Sequence, residues 1–254
     1  MKELIYVFNL MLKNVLFTNT GKRRLISKHT ILLLCLISIF HSTAFCQSND
    51  IGTWFVYFGN QKINDKWNIQ SDFQYRDYRF LGQRNQFLAR GGLGYNLKPQ
   101  NHNLLLGYAY IATDAYDEFD INTGTKIENR IYQQYLYKNK LGSNSFLHRF
   151  RLEERFISND FGLRARYFIS VQKPLGNKNG KKNATYLSAY NELFIDIKET
   201  QFDRNRLYAG LGFSINESIR VESGYMIQTQ KNISRGQLQL IVYNNLPFKN
   251  KKHQ

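Results

Sequence analysis

Cysteine is almost missing from this chain of 254 residues: Cys35 and Cys46 both fall within the first 46 positions. Beyond them a disulfide-stapled fold and a Cys-ligated metal site are excluded. Three prolines and 17 glycines are too few for proline-rich or collagen-like chains. Acids are scarce, 19 Asp and Glu against 35 Lys and Arg. No apolar run reaches the ~20 residues of a helical membrane span. What the chain has in quantity is aromatic side chains, with 19 Phe, 17 Tyr and 2 Trp. That content excludes intrinsic disorder.

The main apolar run, Ile31 to Phe40, follows a basic cluster at Lys22, Arg23, Arg24 and Lys28. Small residues Ser42, Thr43 and Ala44 come next. This order predicts a secretory signal peptide over residues 1–46 with a long n-region, cleaved after Ala44 or Cys46. Phe45 is bulky where a lipid-modified Cys46 wants a small neighbour. The remaining chain holds 29 Lys and Arg against 18 Asp and Glu, so its charge of +11 is not a leader artefact.

From residue 50 the pattern has period two, the signature of strands. Asn68, Gln70, Asp72, Gln74 and Arg76 alternate with Trp67, Ile69, Ser71, Phe73 and Tyr75. Arg149, Arg151, Glu153 and Arg155 alternate with His148, Phe150 and Leu152. Similar stretches cover 87–97, 163–171 and 219–230, and less regular ones 52–58, 104–113, 128–141, 186–197, 206–215 and 237–248. Turn residues separate them at Asn64-Asp65, Pro99-Gln100-Asn101, Gly142-Ser143-Asn144, Asn159-Asp160 and Asn216-Glu217.

Exported chains with consecutive strands of 9–11 residues point to an outer-membrane barrel, apolar face to lipid and polar face to lumen. Trp67, Tyr75, Tyr78, Phe80, Tyr95, Tyr186, Phe202 and Phe248 are candidates for its aromatic girdles. Eleven stretches are counted, but a barrel with both ends on one side needs an even number. The fold predicted is therefore all-β, an antiparallel up-and-down transmembrane barrel of about 10 strands (10–12). It occupies residues 47–248 and is followed by a basic tail, 249–254. The stretches 114–127 and 198–205 are expected to be loops.

The opening Gly52-Thr53-Trp54, Lys66-Trp67 before a polar-alternating strand, Arg76, the 84–94 segment and the closing Leu246-Pro247-Phe248 resemble an outer-membrane barrel family known as domain of unknown function 2490. The resemblance covers roughly residues 50 to 248. It implies a barrel in a Gram-negative outer membrane and carries no activity or catalytic residues.

The predicted inward face is rich in arginine. Its lumen-lining candidates are Arg76, Arg90, Arg130, Arg149, Arg151, Glu153, Arg155, Arg164, Arg166, Glu192, Arg206, Arg220 and Glu222. They form either an open, anion-attracting path or a packed network in which buried arginines are paired. No catalytic residue is assigned. His102 is placed in a turn, His253 in the tail and His148 on the lipid face, so none is a base for a hydroxyl nucleophile. No cofactor or metal is expected; Asp114, Asp117, Glu118 and Asp120 read as a solvated acidic loop. Nucleic acid is not an expected partner. Outer-membrane lipid, lipopolysaccharide near Lys178, Lys181 and Lys182, and the barrel assembly machinery are. The function expected is that of a non-enzymatic outer-membrane barrel, a small channel or transport-related pore with a basic lumen. The alternative is a structural or envelope-interaction barrel with a closed, ion-paired interior, and a rim-sited lipid-modifying enzyme ranks third.

Overall fold

The computed structural model describes residues 46–47 and 51–247, apart from 81, 98–100, 118–120, 159, 177–183, 200 and 232. The leader up to Phe45, the basic tail, Phe248, Lys178, Lys181, Lys182, Glu118 and Asp120 lie outside the described residues.

The strands run β1 (Cys46–Gln47), β2 (Gly52–Lys62), β3 (Trp67–Asp77), β4 (Arg84–Leu97), β5 (His102–Tyr116), β6 (Asn122–Leu141), β7 (Asn144–Ile157), β8 (Asp160–Pro174), β9 (Ala184–Asp196), β10 (Gln201–Ser214), β11 (Ile219–Gln230) and β12 (Ile233–Asn244). From β2 to β12 each strand pairs antiparallel with its sequence neighbour, and β12 pairs with β2 in parallel, from Gln237↔Gly52 to Asn244↔Gly59. The barrel is closed and mixed, with eleven long strands; β1 adds a two-residue parallel pairing to β12 at Cys46↔Ile233. No helix occurs among the described residues.

The count of about ten is corrected by this closure. It assumed that both chain ends leave the barrel on one side. Gly52–Lys62 is instead a full strand, and one parallel seam lets an odd number close. Residue 52 therefore lies at one end of the barrel, here the N-end, and residue 244 at the other, the C-end. The seam is sealed from within by Trp54, Val56, Tyr208, Met226 and Ile241, which form a buried apolar cluster.

Local chemistry sets the turns. Asn64 Oδ1 accepts from the amides of Lys66 (2.9 Å) and Trp67 (2.8 Å), and Asn216 Oδ1 does the same for Ser218 and Ile219 (2.8 Å each). Such Asx turns redirect the chain without a special backbone. Gly142, at φ 60°, serves the two-residue turn between β6 and β7. Two expected loops are smaller than predicted. Asp114 to Tyr116 pairs with Asn122 to Thr125, lengthening the β5–β6 hairpin, and β10 already starts at Gln201. Asp114 is buried against Arg84 (2.6 Å) and Thr125 (2.7 Å), not solvated. The last strand ends at Asn244, so Leu246 lies beyond it.

The alternation places large apolar side chains outside. Leu104, Leu106, Tyr108 and Tyr110 along β5 are all exposed, Leu106 by 60%. On β3, Trp67 and Tyr75 bracket the outward face, about 26 Å apart along the strand. Trp67 meets Tyr95 edge-on at 4.9 Å near the C-end, and Tyr78 meets Tyr116 at 5.6 Å near the N-end. His102 opens β5 instead of lying in a turn: its Nδ1 is 2.6 Å from the Tyr135 hydroxyl and its ring stacks on Tyr137 at 4.8 Å. His148 Nδ1 lies 2.9 Å from the Tyr167 hydroxyl, and its ring faces Tyr137 at 5.7 Å. Tyr186 departs from the girdle expectation. It is buried, and its hydroxyl donates to Glu222 (3.1 Å).

Candidate functional site: the lumen

The polar positions of the alternation converge inside the barrel. Glu153, on β7, is fully buried and receives Arg164 (2.7 Å), Arg151 (3.4 Å), Arg130 (3.5 Å) and Arg166. Glu192, on β9, receives Arg149 and Arg166 (2.6 Å each) and Arg206 (3.4 Å). Arg166 thus bridges both carboxylates. Glu128 binds Arg155 (2.5 Å) and Arg130 (2.6 Å) and joins the same network. Nine of the thirteen candidates, Arg130, Arg149, Arg151, Glu153, Arg155, Arg164, Arg166, Glu192 and Arg206, are connected by these ion pairs across β6 to β10. Burying such charges is tolerable only when geometry and hydrogen bonding are good, and the shared carboxylates provide both.

The surplus of arginine over acid is met by amides and rings. Arg76 is buried, donates to Gln74 and to Gln86 (2.6 Å), and lies 3.8 Å over the Trp54 ring. Arg164, Arg166, Arg204 and Arg206 surround the Phe194 ring at 4.4 to 5.6 Å. Desolvated cation–π contacts of this kind contribute about 2 kcal/mol. Arg90 stands outside the network and pairs with Asp72 (2.6 Å). Arg220 and Glu222 are also separate: Arg220 donates to Gln172 (3.0 Å) and covers the Tyr243 ring at 4.9 Å.

Small and large residues interlock at the wall. An added Cβ at Gly107 would strike the Tyr132 ring, one at Gly212 the Tyr186 ring, and one at Gly210 the Tyr208 hydroxyl. Glycine admits these inward tyrosines where any side chain would collide.

Among the described residues, two cavities lie to either side of this network. One of about 980 Å³ extends to the C-end, where Lys140, Ser145 and Asn245 line it. The other, about 430 Å³, reaches the N-end beside Asp77, Tyr78 and Ile157. Trp54, Arg90, Arg166 and Arg206 line both, so the two meet at one charged, aromatic layer.

Several residues of this layer escape a reading by alternation. Trp54, Phe194 and Tyr190 are inward and aromatic, although an apolar side chain on a barrel strand is expected outside. Phe194 shares the parity of Glu192 and Asp196, a signal that was available. Asp203, bound to Arg164 at 2.9 Å, falls in a stretch expected to be a loop. Lys138 shares the parity of Arg130.

A closed β-barrel with an apolar outer face and an ion-paired polar core is the class defined by this fold. The chain belongs to the family described as Protein of unknown function (DUF2490), which matches residues 51–239. It is similar to an uncharacterized protein of Methylorubrum extorquens, 25% identical over 222 residues that cover 82% of this chain and 92% of that protein. No solved structure matches.

Proposed function

We propose that the chain is a non-enzymatic, non-conducting β-barrel of a bacterial outer membrane, exported by its N-terminal signal, with a structural or envelope-interaction role. The observation that carries this reading is the inversion of polarity: apolar side chains cover the outside while arginine and glutamate fill the inside. A soluble protein rarely exposes so continuous an apolar surface, whereas lipid requires it. The shared layer of Trp54, Arg90, Arg166 and Arg206, with its ion pairs to Asp72, Glu153 and Glu192, favours a sealed path over an open one. Both described histidines after the leader are bound to tyrosines on the outward face, which argues against a rim hydrolase. Its partners in this reading are outer-membrane lipid and lipopolysaccharide, and the barrel assembly machinery inserts it.

The test is single-channel recording of the refolded mature chain in a planar bilayer under a salt gradient. The expected result is no conductance from a barrel that circular dichroism and protease resistance show to be folded. A reproducible anion-selective step would overturn the sealed lumen. The second reading, an anion pore, is favoured by one observation, the end-to-end placement of the two cavities.

A further inference from the structure

The larger cavity differs from the rest of the lumen in what its cations do. Among the described residues, eight Lys and Arg line it against two acids, Asp72 and Glu192, and both acids are already committed to arginines. Towards the C-end rim, Lys138, Lys140 and Arg220 face this space and make no ion pair among the described residues. Of the acids in the described turns at this end, Asp65 pairs with Lys62 (2.6 Å), and Glu217 makes no ion pair with these three cations. Deeper in, Arg149 has its Nε buried without a hydrogen-bond partner. Between these cations the wall combines amides such as Gln172 and Gln239 with the apolar and aromatic Leu136, Phe168, Tyr190, Ile241 and Tyr243.

We infer that this cavity is a binding site for an organic anion, with its acidic head at Lys138 and Arg220 and its apolar or aromatic body against Phe168, Tyr190 and Tyr243. A volume of about 980 Å³ is at the upper end of ligand pockets, which are mostly apolar with a few placed polar groups. Uncompensated cations against low-dielectric walls raise the local concentration of anions. An inorganic ion would satisfy the cations but fill little of this volume, leaving the apolar part of the wall against water. A neutral apolar molecule would leave the cations facing each other. Only a molecule with both parts satisfies the whole lining. The floor of this site is the sealed layer of the previous reading, but binding does not require the seal: a barrel that conducts and still binds would break that reading and leave this one standing.

The experiment is calorimetric titration of the refolded full barrel, in a non-ionic detergent, with naphthyl phosphate, inorganic phosphate and the neutral alcohol naphthol. The expected result is saturable one-to-one binding of naphthyl phosphate, at least tenfold tighter than inorganic phosphate and stronger than naphthol's partition into detergent alone. Loss of a hydrogen bond to a charged group corresponds to about tenfold or more, so Lys138→Gln and Arg220→Gln should each weaken naphthyl phosphate about tenfold. Lys126→Gln, at the other cavity, should leave its affinity unchanged. Equal affinity for the two phosphates would overturn the inference, because the aromatic wall would then contribute nothing. So would binding unaffected by Lys138→Gln and Arg220→Gln, or no binding to a barrel whose heat-modifiable migration proves it folded.

Discussion

The two halves of the lumen are built from one alphabet and reach opposite states. Towards the N-end, Glu128, Glu153 and Asp203 each bind two or more arginines, and the space left is about 430 Å³. Towards the C-end, Lys138, Lys140 and Arg220 form no ion pair among the described residues, and about 980 Å³ remains. Arginine content does not decide between a plug and a vestibule. The level of the acids does, because one carboxylate can accept from several guanidiniums and draw neighbouring strands' side chains together.

The largest expected effect breaks the sealed half. Glu153→Gln leaves four buried arginines short of their shared acceptor. Breaking a buried ion-paired group typically costs about 3–5 kcal/mol, and urea unfolding in lipid vesicles, followed by Trp54 and Trp67 fluorescence, should register a loss of that size. A loss below about 1 kcal/mol, the range of an exposed pair, would mean that the layer is wet and unsealed. Next is the surface common to both halves. Leu106→Arg, on the exposed apolar face, should destabilise the inserted barrel by about 2–4 kcal/mol. On a protein surrounded by water the same change would stay within about 0.5 kcal/mol, so a null result in the same unfolding assay would count against the membrane. Gly212→Ala comes third. It forces the Tyr186 ring aside, an overpacking worth about 1–3 kcal/mol. The smallest effect belongs to the open half: Lys138→Gln should change stability by less than about 0.5 kcal/mol, since no ion pair is lost. A larger loss would place an unrecognised acid beside it.

Alternation made the strands and their faces legible. Asp72, Gln74 and Arg76 on β3, and Arg149, Arg151, Glu153 and Arg155 on β7, lie inside as their spacing requires. The girdle expectation misplaced Tyr186, and the apolar pattern misplaced the end of the last strand. Tyr186 is inward because Gly212 on the paired strand leaves room for its ring. The strand end was taken from an apolar pattern that continues past Asn244, where pairing with Ile219 ends. Trp54 and Phe194 lie inside although apolar, because guanidiniums above their rings make the lumen a favourable place for an aromatic.

By itself, then, the sequence determined an all-β chain, the approximate strands, the polar inner face and the arginine candidates. These follow from residue spacing along a single strand, a local property with period two. Only the tertiary structure decided that eleven strands close through a parallel β12–β2 seam, that Glu153 and Glu192 are hubs, and that the lumen is dense in one half and open in the other. Those depend on register between strands, which sets the height at which each inward side chain meets partners 11 to 43 residues away in the chain. No spacing along one strand encodes that height.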